Sequence, residues 1–134
     1  MRVPQTVMDA IGAHARRDFP HECCGLLIGD ESQVIEAVPT QNVAAEPLRA
    51  YEVSPRDHFM LIRRCRTQAG VAIIGGYHSH PHGKPEPSPT DRDRAFSDFL
   101  YLIVGPADGS GPLEVRGYRW RDGAMEPVTL SIVD

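Results

Sequence analysis

The stretch Val71–Asp91 reads VAIIGGYHSHPHGKPEPSPTD. Its opening is a short apolar run rich in isoleucine and valine, bounded by Gly70 and by Gly75-Gly76, which predicts a central strand. Along a strand successive side chains alternate faces, so His78 and His80 point the same way. Their Cα atoms are then roughly 6–7 Å apart, and two such imidazoles can converge on one ion at about 2.0–2.1 Å per bond. His82 shares the parity, but Pro81 ends the regular strand and makes His82 a loop residue. Beyond the proline-rich loop, Ser88 reads as an N-cap with Pro89 at the first helical position, leading a helix through TDRDRAFSDF. Asp91 falls in the first turn of that helix, where the dipole favours an ionised carboxylate. Spacing alone leaves two readings of the pair: a solvated turn, or half of a metal site with Asp91 as third ligand and an open fourth position.

The chain on either side gives the fold. Residues 4–17 read as a helix, with Val3, Val7, Met8, Ile11 and Ala15 on one face and Pro20 at the exit. CCGLLIGD is a short buried strand, and SQVIEAVPT pairs with it as a hairpin. Residues 40–50 form a loop without pattern. A short strand then leads into a helix opened by Ser54 and Pro55, carrying Phe59, Ile62, Cys65 and Ala69 at helical spacing and closed by Gly70. LYLIVG, LEVRGYRW and PVTLSIV close the chain as three strands. Helices alternate with strands early and strands dominate late. The expected class is therefore α/β (or α+β), with one mixed sheet flanked by helices.

Bulk properties narrow the function. A chain of 134 residues fits a single domain over 1–134 and buries roughly two thirds of its unfolded surface without a staple. Any metal is therefore there for function. Net charge is −4 with no basic stripe, which argues against nucleic acid as partner. The apolar runs are too short to span a membrane, and the N-terminus carries no leader-type apolar core, so the expected location is the cytoplasm. Cys23, Cys24 and Cys65 lack CxxC spacing and read as reduced, mostly buried thiols. His14, His21 and His58 have no spacing partner and read as solvated. Glu86 reads as a solvated loop acid, and Asp93 should face away from Asp91.

His78-Ser79-His80-Pro81, followed by Ser88 and Asp91, resembles the signature of the JAMM metallopeptidases, the zinc-bearing branch of the MPN-domain family. PHECCGLLIGD resembles the upstream motif of the short prokaryotic members and supplies Glu22. YEVSP is similar to these members too, though less specific. The resemblance covers nearly the whole chain and implies an MPN-like domain, a sandwich of the cytidine-deaminase-like kind. It implies that His78, His80 and Asp91 bind zinc (Zn2+), that Glu22 is the general base acting on zinc-bound water, and that Ser88 stabilises the oxyanion. That last role competes with the cap reading of Ser88. Zinc deaminases themselves are excluded, because they use H-x-E and P-C-x-x-C elements; HExxH is absent as well.

The implied activity is hydrolysis of an amide or isopeptide bond after the C-terminal Gly-Gly of a ubiquitin-like or sulfur-carrier protein. The alternatives are a general deubiquitinase-like or phage-tail-type endopeptidase, and a non-catalytic MPN scaffold. A purely structural zinc module is the third, and it predicts that chelation unfolds the chain.

Overall fold

The computed structural model describes residues 1–134. Val71–Asp91 opens with the central strand of a six-stranded mixed sheet. The elements in chain order are β1 (Arg2–Pro4), α1 (Gln5–Asp18), β2 (Cys24–Gly29), β3 (Val34–Thr40), α2 (Pro55–Cys65), β4 (Ala72–Ser79), α3 (Pro89–Asp93), β5 (Leu100–Gly105), β6 (Glu114–Arg121), β7 (Ala124–Val128) and β8 (Ser131–Val133). The sheet order is β3-β2-β4-β5-β6-β7, and β1 and β8 form a separate parallel pair. Only β4 and β5 run parallel within the large sheet. A parallel pair needs a crossover, and here the proline-rich loop and α3 provide it. No helix is long and apolar enough to cross a membrane.

Period-2 alternation sorts the sheet into two faces. Leu27, Tyr77, Leu100, Leu102 and Val104 meet Val7, Ile11 and Ala15 of α1. Leu26 and Ile28 face the other way and pack on Leu61 of α2, while Ile103 and Tyr101 cluster with Tyr118 and Met125. β2 and β5 are buried along their whole length, as strands covered on both faces must be. Tyr77 belongs to the α1 face, so His78 faces α2 and the crossover.

Several local expectations are corrected. The helix after Ser88 spans only Pro89–Asp93. Past it, the Phe96 N–H donates to the Tyr101 hydroxyl (2.7 Å) rather than to a helical carbonyl, and Asp98 turns at φ 63° to enter β5. α2 ends at Cys65, short of Gly70, and buries Leu61 while Phe59 stays 58% exposed. The sheet meets the Leu61 side of the helix, not the Phe59 side. The strand expected before α2 is a single bridge between Asn42 and Val53. PVTLSIV is divided: β7 closes the large sheet, and β8 leaves it to pair with β1. Leu130, between them, packs on Gly117.

The β4–β5 contact leaves no room at Gly75, where an added Cβ would collide with the Leu100 carbonyl oxygen. Gly75→Ala should lower stability by about 3 kcal/mol, whereas Gly111→Ala, in open space, should stay within about 0.5 kcal/mol. Urea unfolding of both variants checks this; equal midpoints would contradict the packing.

Candidate metal centre

β4 carries its side-chain alternation one residue past its end. The His80 N–H donates to the Val104 carbonyl (2.8 Å), so His80 stays in register with β5 even though Pro81 stops the strand. His78 and His80 therefore share a face. Their Nε2 atoms are 3.2 Å apart, His78 Nε2 is 3.2 Å from Asp91 Oδ1, and His80 Nε2 is 3.2 Å from Asp91 Oδ2. One ligand atom from each residue lies within 4.8 Å of the others.

Burial and hydrogen bonding favour neutral His78 and ionised Asp91, the forms a cation needs, whereas the Asp91 charge favours a proton on His80 that a cation would have to displace. The His80 Nδ1–H donates to the Lys84 carbonyl (2.9 Å), which leaves Nε2 as the lone-pair atom facing the site. His78 is 1% exposed, and burial pushes its pKa down despite the opposing pull of Asp91. The Tyr51 ring stacks on it at 4.3 Å and 18°. The Asp91 carboxyl is pushed up by burial, but hydrogen bonds to His78 and His80 and the His78 charge outweigh this and hold it well below the carboxylate range. His80 feels burial pushing down, overcome by Asp91 and the Lys84 carbonyl, and ends above its ordinary value. His78 Nδ1 is buried with no hydrogen-bond partner. A native fold tolerates such an orphan mainly at a strained or chemically active site. Two imidazoles and an ionised carboxylate converging in this way fit a divalent cation of borderline softness.

α3 is built around the third donor. Ser88 Oγ accepts from the Asp91 N–H (3.1 Å), and Asp91 Oδ2 accepts from the Ser88 N–H (2.9 Å). This reciprocal capping box fixes the carboxylate. It uses Ser88 Oγ only as an acceptor, so the hydroxyl hydrogen is free of the cap. The cap and an oxyanion-directed donor are therefore compatible in one residue.

Glu22 reaches the same place from β2. The last register pair of the β2–β4 ladder is Cys24↔His78. Beyond it, Cys23 and Ser79 continue the pairing: the Ser79 N–H donates to the Cys23 carbonyl (3.1 Å), and the Cys23 N–H donates to Ser79 Oγ (2.8 Å). One step further, Glu22 stands opposite His80. The residue is 8% exposed, and its pKa is raised to about 7, by burial first, with the His80 charge opposing and the Asp91 charge assisting. A cavity of about 130 Å³ joins Glu22, His80, Ser88 and Asp91.

A family model described as prokaryotic homologs of the JAB domain matches residues 4–121. The chain belongs to this family. The desampylase of Haloferax volcanii is 44% identical to this JAB-domain protein over 92% of this chain and 90% of its own. The CysO-cysteine peptidase of Mycobacterium tuberculosis is 31% identical over 96% and 88%. In fold, a protein from Desulfitobacterium hafniense superposes with a TM-score of 0.87 at 24% identity, covering all of this chain and 94% of that one. A structure described as a JAMM metalloprotease-like zinc site in the proteasome and signalosome superposes with a TM-score of 0.61 at 23% identity, covering all of this chain and 98% of that one.

The remaining candidates of the JAB domain lie elsewhere. His82 is exposed and pairs with Asp108 (3.0 Å), Glu86 pairs with Arg116 (3.5 Å), and Asp93 is exposed. His14 is not solvated: it is 4% exposed on the α1 face, bonded to the Tyr77 hydroxyl (2.7 Å) and to Asp18 (3.0 Å). A tyrosine buried in the sheet needs a polar partner for its hydroxyl, and His14 supplies it. Burial pushes the Cys23 thiol up to about 12 and Cys24 to about 11, so neither is a nucleophile. Sequence reasoning missed Tyr51, Arg49 and Arg94, which line the cavity from a patternless loop and from the end of α3. Only the Tyr51 of YEVSP carried a signal, and it came from resemblance.

The raised Glu22 pKa means that the fold binds a proton more tightly than the unfolded chain between about 4.5 and 7. Stability of chelator-treated protein should therefore fall as pH rises through that window. Glu22→Gln removes the loss and should exceed wild type by roughly 1–3 kcal/mol at pH 8, with a smaller difference at pH 5. Urea midpoints at both pH values test this, and a pH-independent difference would refute it.

Proposed function

We propose that this chain is a zinc-dependent peptidase that hydrolyses the amide bond after the C-terminal glycine of a ubiquitin-like or sulfur-carrier protein. In this reading, residues 1–134 act as one JAMM/MPN domain working in the cytoplasm. The observation that carries it is the convergence of the His78 and His80 Nε2 atoms on Asp91, with His80 and Asp91 sharing one cavity with a buried Glu22. The relatives support the substrate class: one bears the name desampylase and another CysO-cysteine peptidase.

His78, His80 and Asp91 are the residues that would hold zinc. What zinc supplies when bound is Lewis acidity, which brings the pKa of water to about 7 and polarises a carbonyl oxygen. Glu22 removes the proton from the attacking water and passes it to the leaving nitrogen. The new carbon–oxygen bond forms first and puts charge on the carbonyl oxygen; as that charge returns, the carbon–nitrogen bond breaks with the nitrogen protonated, and the products are a carboxylate and an amine. A carboxylate with a pKa near the operating pH suits both halves of that transfer. The free hydroxyl hydrogen of Ser88 donates to the oxygen charge developing at the substrate carbonyl. Burial around Glu22 and His78 excludes bulk water and strengthens these interactions.

A glycine tail suits the surroundings. The cavity is small, and an apolar groove shares Tyr51 and Arg94 with it, lined by Gly25, Gly76 and Phe99. Gly76 puts no side chain between Phe99 and Leu26 on the groove side, which leaves room there for an extended backbone, whereas the place beside Gly25 is filled by the Tyr77 ring.

Glu22→Ala should retain zinc and lose at least about 100-fold in turnover. Asp91→Ala should lose most of the metal. Metal content by mass spectrometry, with intact-mass cleavage of a carrier extended beyond Gly-Gly, separates the two; wild-type turnover in the first variant or full occupancy in the second removes that residue from its role. Chelation should abolish cleavage and leave the far-ultraviolet dichroism in place, since the core is built without the site. Unfolding on chelation would instead make the metal structural.

A further inference from the structure

The Glu22 wall of the cavity carries a cation that hydrolysis does not use. Asn42 Nδ2 donates to the carbonyls of both Glu22 and Ala50 (3.0 Å each), and the Glu22 N–H donates to the Pro47 carbonyl (2.8 Å). Asn42 Oδ1 also accepts from the N–H groups of Ala44 (3.0 Å) and Glu52 (3.1 Å). A single side chain thus pins the loop around Arg49 to the backbone of Glu22. Arg49 lines the cavity, and none of the ion pairs of the protein includes it. Arg94, which also lines the cavity, borders the apolar groove too and spends an N–H on the Tyr51 carbonyl (3.3 Å). Arg49 is the uncommitted guanidinium.

Its position gives it a direction along the substrate. The residue that returns the proton must stand beside the leaving nitrogen, so Glu22 marks the leaving-group side. When the leaving group is one amino acid, its α-carboxylate lies a single Cα away from that nitrogen. In an isopeptide the leaving nitrogen belongs to a lysine side chain, and no carboxylate stands there. A guanidinium fork matches a carboxylate with two parallel hydrogen bonds.

We infer that Arg49 is a specificity-determining residue that binds the free α-carboxylate of a single amino acid following the scissile bond, so that the enzyme favours removing one C-terminal residue over opening an isopeptide. This rests on the peptidase reading above and adds to it which leaving group is preferred.

The test uses zinc-loaded protein and two synthetic peptides with the same Gly-Gly-Cys end, one with a free carboxylate and one with a carboxamide. Wild type should cleave the free acid with a kcat/KM at least about 10-fold higher, the scale of one charge-assisted contact. Arg49→Gln should bring the ratio to about 1, and Arg49→Lys should keep part of it. Fluorescence anisotropy with the Glu22→Gln protein gives a readout without turnover: the free acid should bind more tightly than the amide, and adding Arg49→Gln should erase the difference. Equal cleavage and equal binding of the two peptides by the Arg49 protein would overturn the inference while leaving the peptidase intact. A preference that survives in Arg49→Gln would overturn it as well. Cleavage of neither peptide, nor of an isopeptide-linked carrier, would overturn the peptidase reading and this inference together.

Discussion

The antiparallel register between β2 and β4 is the constraint on which the site depends. The ladder ends at Cys24↔His78, and the Cys23–Ser79 pair extends it. That extension carries Glu22 toward His80, and Asn42 and the Pro47 carbonyl hold its backbone there, although Glu22 and His80 are far apart in sequence. A slip of one residue would turn His78 to the α1 face and bury it among leucines. Ser79, fully buried between the two histidines, prevents the slip by bonding Cys23 through both its backbone and its hydroxyl. The fully apolar β2 and β5 on either side of β4 anchor the register, because any shift would expose Leu27 or Leu102 to the wrong layer.

The second constraint is electrostatic. Asp91 is buried, yet it is kept ionised by two histidines and by the Ser88 N–H. Glu22, in the same cavity, has no such donors, and burial keeps its proton near neutral pH. Two carboxyl groups beside the same imidazoles are thus driven in opposite directions, Asp91 by its hydrogen bonds and Glu22 by burial. In the proposed reading, this separation suits one carboxylate to holding the metal and the other to transferring a proton. The capping box matters here beyond helix stability, since without the Ser88 N–H the Asp91 carboxylate would lose both its orientation and part of its charge support.

Much of this was legible in the sequence, and the parts that were not share a cause. The strand around Gly75, the parity of His78 and His80, the break at Pro81 and the cap at Ser88 follow from local stereochemistry, and the structure has each of them. Glu22 was legible only through resemblance, because nothing local in PHECC says which strand it will oppose. The Phe59 face of α2 was misjudged because helical spacing gives two apolar stripes and only the sheet decides between them. β8 was missed as a separate element because its partner, β1, lies at the other end of the chain. His14 was read as solvated because a single polar residue on an apolar face shows no partner until Tyr77 is brought to it.

Arg49 was invisible, and Tyr51 legible only through the resemblance of YEVSP, for a further reason. They sit on a loop without periodicity, positioned by the Asn42 side chain rather than by a ladder. The two walls of the cavity are therefore built differently. The metal-facing wall comes from a sheet and a capped crossover, whose register leaves little freedom. The Arg49 wall comes from a loop whose backbone is tied at a few side-chain bonds and whose exposed residues can change without disturbing the core. In the proposed reading, reaction chemistry belongs to the first wall and substrate choice to the second. A change confined to the loop wall could therefore alter which amide is accepted without disturbing the arrangement of His78, His80, Asp91 and Glu22.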